Sequence, residues 1–271
     1  MKRYRLVNYF FDFRRNSLDL DDTVNSIIQD FGENNVEEKL QNLKDLKKAP
    51  ILISSEENLL YGQIYKTFVF GNYYTAWVGA CTLGERILNE FMFKLRDYYK
   101  AQAKDLFNTK EIKTIYNKQS CDDWSFMIKV LKKWEFIDNQ DIWTCFEKLK
   151  KLRTESVHYN KSIFNNGREK ALQAVNLIHE IIDYFFTALG FRPWFIENPP
   201  GIKNFVCKEY QNNPFVKEFI IPHCLYLGYK HKCINLLEGK FEDFSDYPSI
   251  ELSDEEYFLS FKKQELVILD K

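Results

Sequence analysis

The chain has 271 residues, 45% of them hydrophobic and 17% aromatic, with 24 Phe and 16 Tyr. That composition excludes a disordered polar chain and suffices for one large domain, or for one domain with an appendage. The formal net charge is -1, which excludes binding to polyanions by bulk charge, so any nucleic-acid site has to be a local basic patch.

Residues 1–55 read as a mixed N-terminal segment. Tyr9-Phe10-Phe11-Asp12-Phe13 suits a strand or a packing anchor. The basic start Met1-Lys2-Arg3 is followed by Asn8, Asp12, Arg14 and Arg15, a pattern expected of no signal peptide. Asp21-Asp22-Thr23 offers cap chemistry for a helix carrying Val24, Ile27, Ile28 and Phe31, stopped by Gly32. Val36, Leu40, Leu43 and Leu46 make a helical stripe on a charged element that Pro50 ends.

Residues 56–190 carry the strongest helical pattern. From Glu56 to Ala103 the period is sustained, with Gly71-Asn72 separating a shorter helix from a long one. In the long one Trp77, Ala80, Cys81, Leu83, Gly84, Ile87, Leu88, Phe91, Met92 and Leu95 form a wide apolar face. Gly79 and Gly84 are unfavourable inside a helix, which points to a neighbour packed close against them. Asp122-Asp123 starts a helix that buries Trp124, Met127, Ile128, Leu131 and Trp134. The next helix runs from about Asn139 to Asn160, with apolar positions at 142, 145, 146, 149 and 152, and Ser156 in line with them. After the turn Asn165-Asn166-Gly167, a helix from Arg168 to Leu189 turns Leu172, Val175, Ile178, Ile182, Phe185 and Phe186 inward, with Gly190 as its cap. His179 reads as a structural surface histidine.

Residues 191–271 change character. Six prolines, from Pro193 to Pro248, cut the chain into short pieces, and Glu242–Glu256 is acidic without Lys or Arg. This stretch reads as an irregular, partly β extension packed on the helices. His223, Cys224, His231 and Cys233, with Cys207, have the residue types for zinc but no standard ligand spacing. No cofactor is expected. The six scattered cysteines suit reduced thiols in a cytoplasmic protein. No apolar run approaches the roughly 18 residues that span a bilayer, so no membrane partner is expected.

The chemistry sits late in the fourth of these long helical patterns, at Arg153-Thr154-Glu155-Ser156-Val157-His158. An imidazole exchanges a proton near neutral pH, and a guanidinium can hold a phosphate with two parallel hydrogen bonds. Those two groups supply the minimum chemistry for breaking a ribose-phosphate backbone without a metal. Five residues at about 100° each leave Arg153 and His158 roughly 140° apart around the helix axis. Two such helices side by side across a dimer axis bring the groups together more naturally than one. Thr154 shares a face with His158 and could orient the imidazole or touch phosphate, while Glu155 flanks the pair. Lys150, Lys151, Lys161 and Arg168 could guide an RNA backbone; otherwise they are a solvated face. Glu85 and Arg86 could support the site from the long facing helix, or form an ordinary interhelical ion pair.

Three local sequences carry a family likeness. They are Leu83-Gly84-Glu85-Arg86-Ile87-Leu88-Asn89-Glu90 with the following Lys94-Leu95-Arg96-Asp97-Tyr98-Tyr99, then Leu149-Lys150-Lys151-Leu152-Arg153-Thr154-Glu155-Ser156-Val157-His158-Tyr159, then the amphipathic helix after the turn. Residues 72–190 resemble the HEPN family of helical nucleases and nucleotide-binding proteins. One departure is Thr154, where the family usually has Asn, Asp or His after the Arg. The resemblance implies a mainly α bundle of long antiparallel helices, usually dimeric. It further implies a metal-independent endoribonuclease with Arg153 and His158 as catalytic pair, RNA as substrate, and a toxin or anti-phage setting with an antitoxin or regulatory protein as partner. The rival expectation is a HEPN-like module that binds nucleotides, RNA or a partner without catalysis.

Overall fold

Apolar residues spaced every three or four positions dictate helix after helix, and the computed structural model of the chain is mainly helical. It describes residues 20–49, 55–157, 166–187 and 212–220, together with Trp194, Val206 and Tyr210. The strand or anchor expected at 9–13 lies outside the described residues, as does most of the C-terminal extension. Among the described residues no helix is long and apolar enough to cross a membrane.

Helix α1 (Leu20–Phe31) ends at Gly32, whose positive φ of 78° suits a residue without a side chain. Lys39 of α2 (Val36–Asp45) is nearly buried, and its Nζ donates to the carbonyls of Phe31 at 2.7 Å and Gly32 at 3.1 Å, closing the end of α1. Helix α3 (Ser55–Val69) turns back at Gly71 (φ 81°) into the long α4 (Tyr73–Leu95). A Cβ on Gly79 would lie 3.0 Å from Ile64, so this glycine lets α3 and α4 approach closely.

Two elements were not apparent from the apolar period. Helix α5 (Ala103–Leu106) is one turn, and α6 (Thr109–Asn117) is set by a reciprocal cap. Asn108 accepts from the backbone of Lys110 and Glu111, and Glu111 accepts from the backbone N–H of Asn108. Helix α7 (Trp124–Trp134) starts on Asp123, which accepts from Phe126 N–H at 3.0 Å. Helices α8 (Gln140–Val157) and α9 (Gly167–Phe186) follow the expected stripes, and the residues between them lie outside the described part.

Helix α4 is the axis of the bundle. It packs against α3, α8 and α9, with α7 alongside. Tyr74 meets Ser156 and Cys81 meets Leu149, so α4 and α8 run antiparallel. At the far end of α4, Phe91 is fully buried. Its ring centroid lies 4.7 Å from Phe185, 5.0 Å from Phe219, 5.4 Å from Phe215 and 5.8 Å from Phe136. Residues 212–220, including the single π-helical turn Val216–Ile220, are thereby part of the same core.

A polar hub ties α2, α3, α4 and α9 together. Asn42 is fully buried. Its amide Nδ2 donates to the carbonyls of Phe68 (3.2 Å) and Val69 (3.3 Å) at the end of α3. Its Oδ1 accepts from Arg168 Nε (3.1 Å) and Nη2 (3.0 Å). Arg168 also pairs with Asp45, which holds the Asp45 carboxyl below the usual carboxylate range.

One expectation is corrected. His179 is buried, not on the surface, because its imidazole Nδ1 finds the hydroxyl of the equally buried Tyr61 at 2.9 Å between α3 and α9. Burial pushes its pKa down. Cys81, Cys121 and Cys145 are free, buried thiols. Burial drives Cys81 and Cys145 up to about 12.

Glu57 of α3 is 4% exposed, and burial, with Glu90 and Glu56 nearby, raises its carboxyl from 4.5 to about 7. Between these two values the folded chain holds a proton that the unfolded chain has released. The contribution of Glu57 to stability is therefore full below about pH 4.5, falls as pH rises through 7, and is absent above it. Glu57→Gln is expected to flatten this slope and to stabilise the protein at pH 8 by about 2–3 kcal/mol. Urea unfolding at pH 5, 6, 7 and 8 measures both effects.

Candidate functional site

Helix α8 buries Ile142, Trp143, Cys145, Phe146, Leu149, Leu152 and Ser156. That choice of face leaves Arg153 at the rim, where α8 meets α4 and α7. The Arg153 side chain is 31% exposed and the Glu85 side chain of α4 28% exposed. Their Nε and Oε2 lie 2.9 Å apart. The same Oε2 accepts the indole N–H of Trp124, the first residue of α7, at 2.9 Å.

Gly84 makes this convergence possible. A Cβ there would lie 2.6 Å from Leu149 Cδ2 and 2.9 Å from the Trp124 ring. The bare backbone of α4 thus lets α7 and α8 close in beside Glu85.

The described arginines differ in how their donors are used. Arg86 bonds Glu56 and pairs with Glu90, Arg96 caps the carbonyls of Ile115 and Lys118, and Arg168 serves the Asn42 hub. Arg153 has its ion pair with Glu85 and, among the described residues, no hydrogen bond. With 31% of its side chain exposed, the guanidinium has an edge that solvent reaches.

The end of α8 is fixed in place. Tyr74 donates its hydroxyl to the Ser156 carbonyl at 3.1 Å, and Ser156 Oγ donates to the Arg153 carbonyl at 2.9 Å. The ring of Tyr74 and the side chain of Val157 stand exposed beside this anchor.

The other residues singled out in the sequence are dispersed. Thr154 Oγ1 donates back to the Lys150 carbonyl at 3.1 Å. Glu155 pairs with Lys170. Lys150 Nζ reaches Ser125 Oγ, with Glu147 at 4.0 Å. Lys151 is exposed. Arg168 faces α2, a strut between helices rather than a neighbour of Arg153. His158 and Lys161 lie outside the described residues, as do His223, Cys224, His231, Cys233 and Cys207. Among the described residues no group of three His, Cys, Asp or Glu converges as a metal site.

The sequence reading missed Trp124 as a polar participant. Its place on an apolar stripe marks it as core, which it is, and only the fold reveals where the indole N–H points. The thiol of Cys81 lies close to both Arg153 and Glu85. Burial outweighs the pull of the Arg153 charge and keeps the thiol protonated at neutral pH. No family model, curated protein or solved structure matches the chain.

Proposed function

We propose that this protein is a metal-independent endoribonuclease of the HEPN type. The observation that carries the reading is the Arg153 guanidinium, placed at the rim of α8 with 31% of its side chain exposed and held from its Nε side by Glu85. In this reading His158 takes the proton of a ribose 2′-OH, which attacks the adjacent phosphorus. Arg153 holds the non-bridging oxygens as charge builds on them. The leaving 5′-oxygen gains a proton, giving a 2′,3′-cyclic phosphate and a 5′-hydroxyl. Two copies of the chain complete the groove, each lending its Arg153 and His158. Lys150, Lys151 and the Tyr74 ring line the way in for RNA, and Lys161 is a further candidate to guide the backbone. A growth-arresting toxin or anti-phage effector acting in the cytoplasm, with an antitoxin or regulatory protein as partner, is the setting such an activity suits.

The rival is a HEPN-like module that binds nucleotides, RNA or a partner without cutting. The Glu85 ion pair favours it, because the carboxylate neutralises Arg153 at rest. So does Thr154, whose hydroxyl is turned back onto α8.

Cleavage of a single-stranded RNA in the presence of EDTA separates the two. Wild type is expected to cut, a strand with 2′-deoxyribose at the cut position to resist, and Arg153→Ala and His158→Ala each to lose at least about 100-fold in rate. RNA binding without cleavage supports the module. Equal cleavage by wild type and both variants removes this site from consideration. Sedimentation at micromolar protein tests the dimer, and a pure monomer contradicts a shared groove.

A further inference from the structure

We infer that Trp124 is a positioning residue that aims Arg153 at an oxyanion by fixing the carboxylate of Glu85. The inference deepens the nuclease reading and rests on it for its kinetic part alone.

Three helices contribute one group each. Glu85 comes from the middle of α4, Trp124 from the first turn of α7 and Arg153 from the last turns of α8. One oxygen, Glu85 Oε2, serves both partners, each at 2.9 Å. A carboxylate on a flexible side chain can swing between rotamers. An indole N–H on a ring that is 2% exposed cannot follow it. The hydrogen bond therefore ties Oε2 to a rigid point of the core. The ion pair then holds the guanidinium from its Nε side. The closest approach of the pair is through Nε, and among the described residues no hydrogen bond engages the Nη groups. That is the edge suited to a two-pronged grip on the non-bridging oxygens of a phosphodiester.

The seat of Trp124 follows from the sequence. Gly84 removes the Cβ that would collide with the indole, and Asp123 caps α7 immediately before it. Glu85 is the next residue of α4, so the glycine that admits the ring also stands beside the carboxylate it fixes.

Trp124→Phe keeps an aromatic six-membered ring at the seat and deletes the N–H together with the five-membered ring that bears it. It is expected to lower kcat for RNA cleavage about tenfold, with KM changed less than about twofold, because aim is lost while the phosphate contacts remain. Glu85→Gln keeps an acceptor for the indole and removes the charge. With the ion pair that holds the guanidinium gone, it is expected to lower kcat at least about as much as Trp124→Phe. Full-length wild-type protein carries a second readout, the Arg153 Nε–H NMR cross-peak, assigned by its absence from Arg153→Lys. Its hydrogen exchange should speed at least about fivefold in Trp124→Phe, because the carboxylate that pairs with Nε is no longer held in place by the indole. Unchanged kcat together with unchanged exchange overturns the inference. If wild type cuts no RNA, the nuclease reading fails, and the exchange measurement alone decides whether Trp124 holds the guanidinium.

Discussion

Phe91→Ala is expected to cost about 3–5 kcal/mol of stability. Phe91 is fully buried at the end of α4, and its ring makes edge contacts with Phe136, Phe185, Phe215 and Phe219. Those rings come from the α7–α8 connection, from α9 and from 212–220, so the site cannot collapse by moving one neighbour. Removing the ring leaves a void walled by aromatic edges and loses their quadrupolar contacts as well as the area. Thermal unfolding followed by far-ultraviolet circular dichroism should show a drop of about 10 °C or more. Leu59→Ala is the control. Leu59 is 52% exposed on α3, and its loss should stay within about 0.5 kcal/mol. A Phe91→Ala protein as stable as the control would show that 212–220 and α9 do not share one core with α4.

Asn42→Ala is expected to cost about 2–4 kcal/mol, close to the Phe91 effect although far fewer atoms are removed. The loss is electrostatic. Two carbonyls at the end of α3 lose their donor, and the guanidinium of Arg168 loses an acceptor for two of its N–H groups. Arg168 keeps Asp45 and lies over the rings of Phe68 and Tyr73, so it is not released completely. A double-mutant cycle with Arg168→Ala should give a coupling of about 1 kcal/mol or more. Strict additivity would mean that the two residues stabilise separate regions. The measurement is a set of four urea unfolding curves.

The helices were legible because each buries a continuous stripe. The stripe of α4 is buried at every position expected of it, from Trp77 to Leu95. The two interior glycines were legible for the same reason, since a residue that weakens a helix marks a close neighbour. The neighbours are Ile64, Leu149 and Trp124. Helix α6 was not, although Asn108 and Glu111 stand at cap spacing, because its apolar stripe is only Ile112, Ile115 and Tyr116.

The site was legible as a set of residue types and not as an arrangement. Glu85 and Arg86 are adjacent, and both were candidates to support Arg153. The fold turns Glu85 toward α8 and Arg86 toward Glu56 and Glu90. Consecutive helical residues differ by about 100°, so one can face a neighbour and the other solvent. Arg168 and Arg153 looked alike as nearby cations. Only the pairing of α9 with α2 makes one a strut while the other stays available. Asn42 carried no mark, sitting in a polar stretch whose partners lie 26 to 126 residues away. His179 was misread because a polar side chain between Ile178 and Glu180 looks solvated, and its Tyr61 partner is remote in sequence.

Gly84 also limits how the chain can change over generations. Bulk added there would spread α7 and α8 from α4 and, in the same step, unseat the ring that fixes Glu85. Most sites let natural selection trade rigidity against activity by small increments. Position 84 is steep by comparison, since even one added methyl has to displace both the Leu149 side chain and the Trp124 ring.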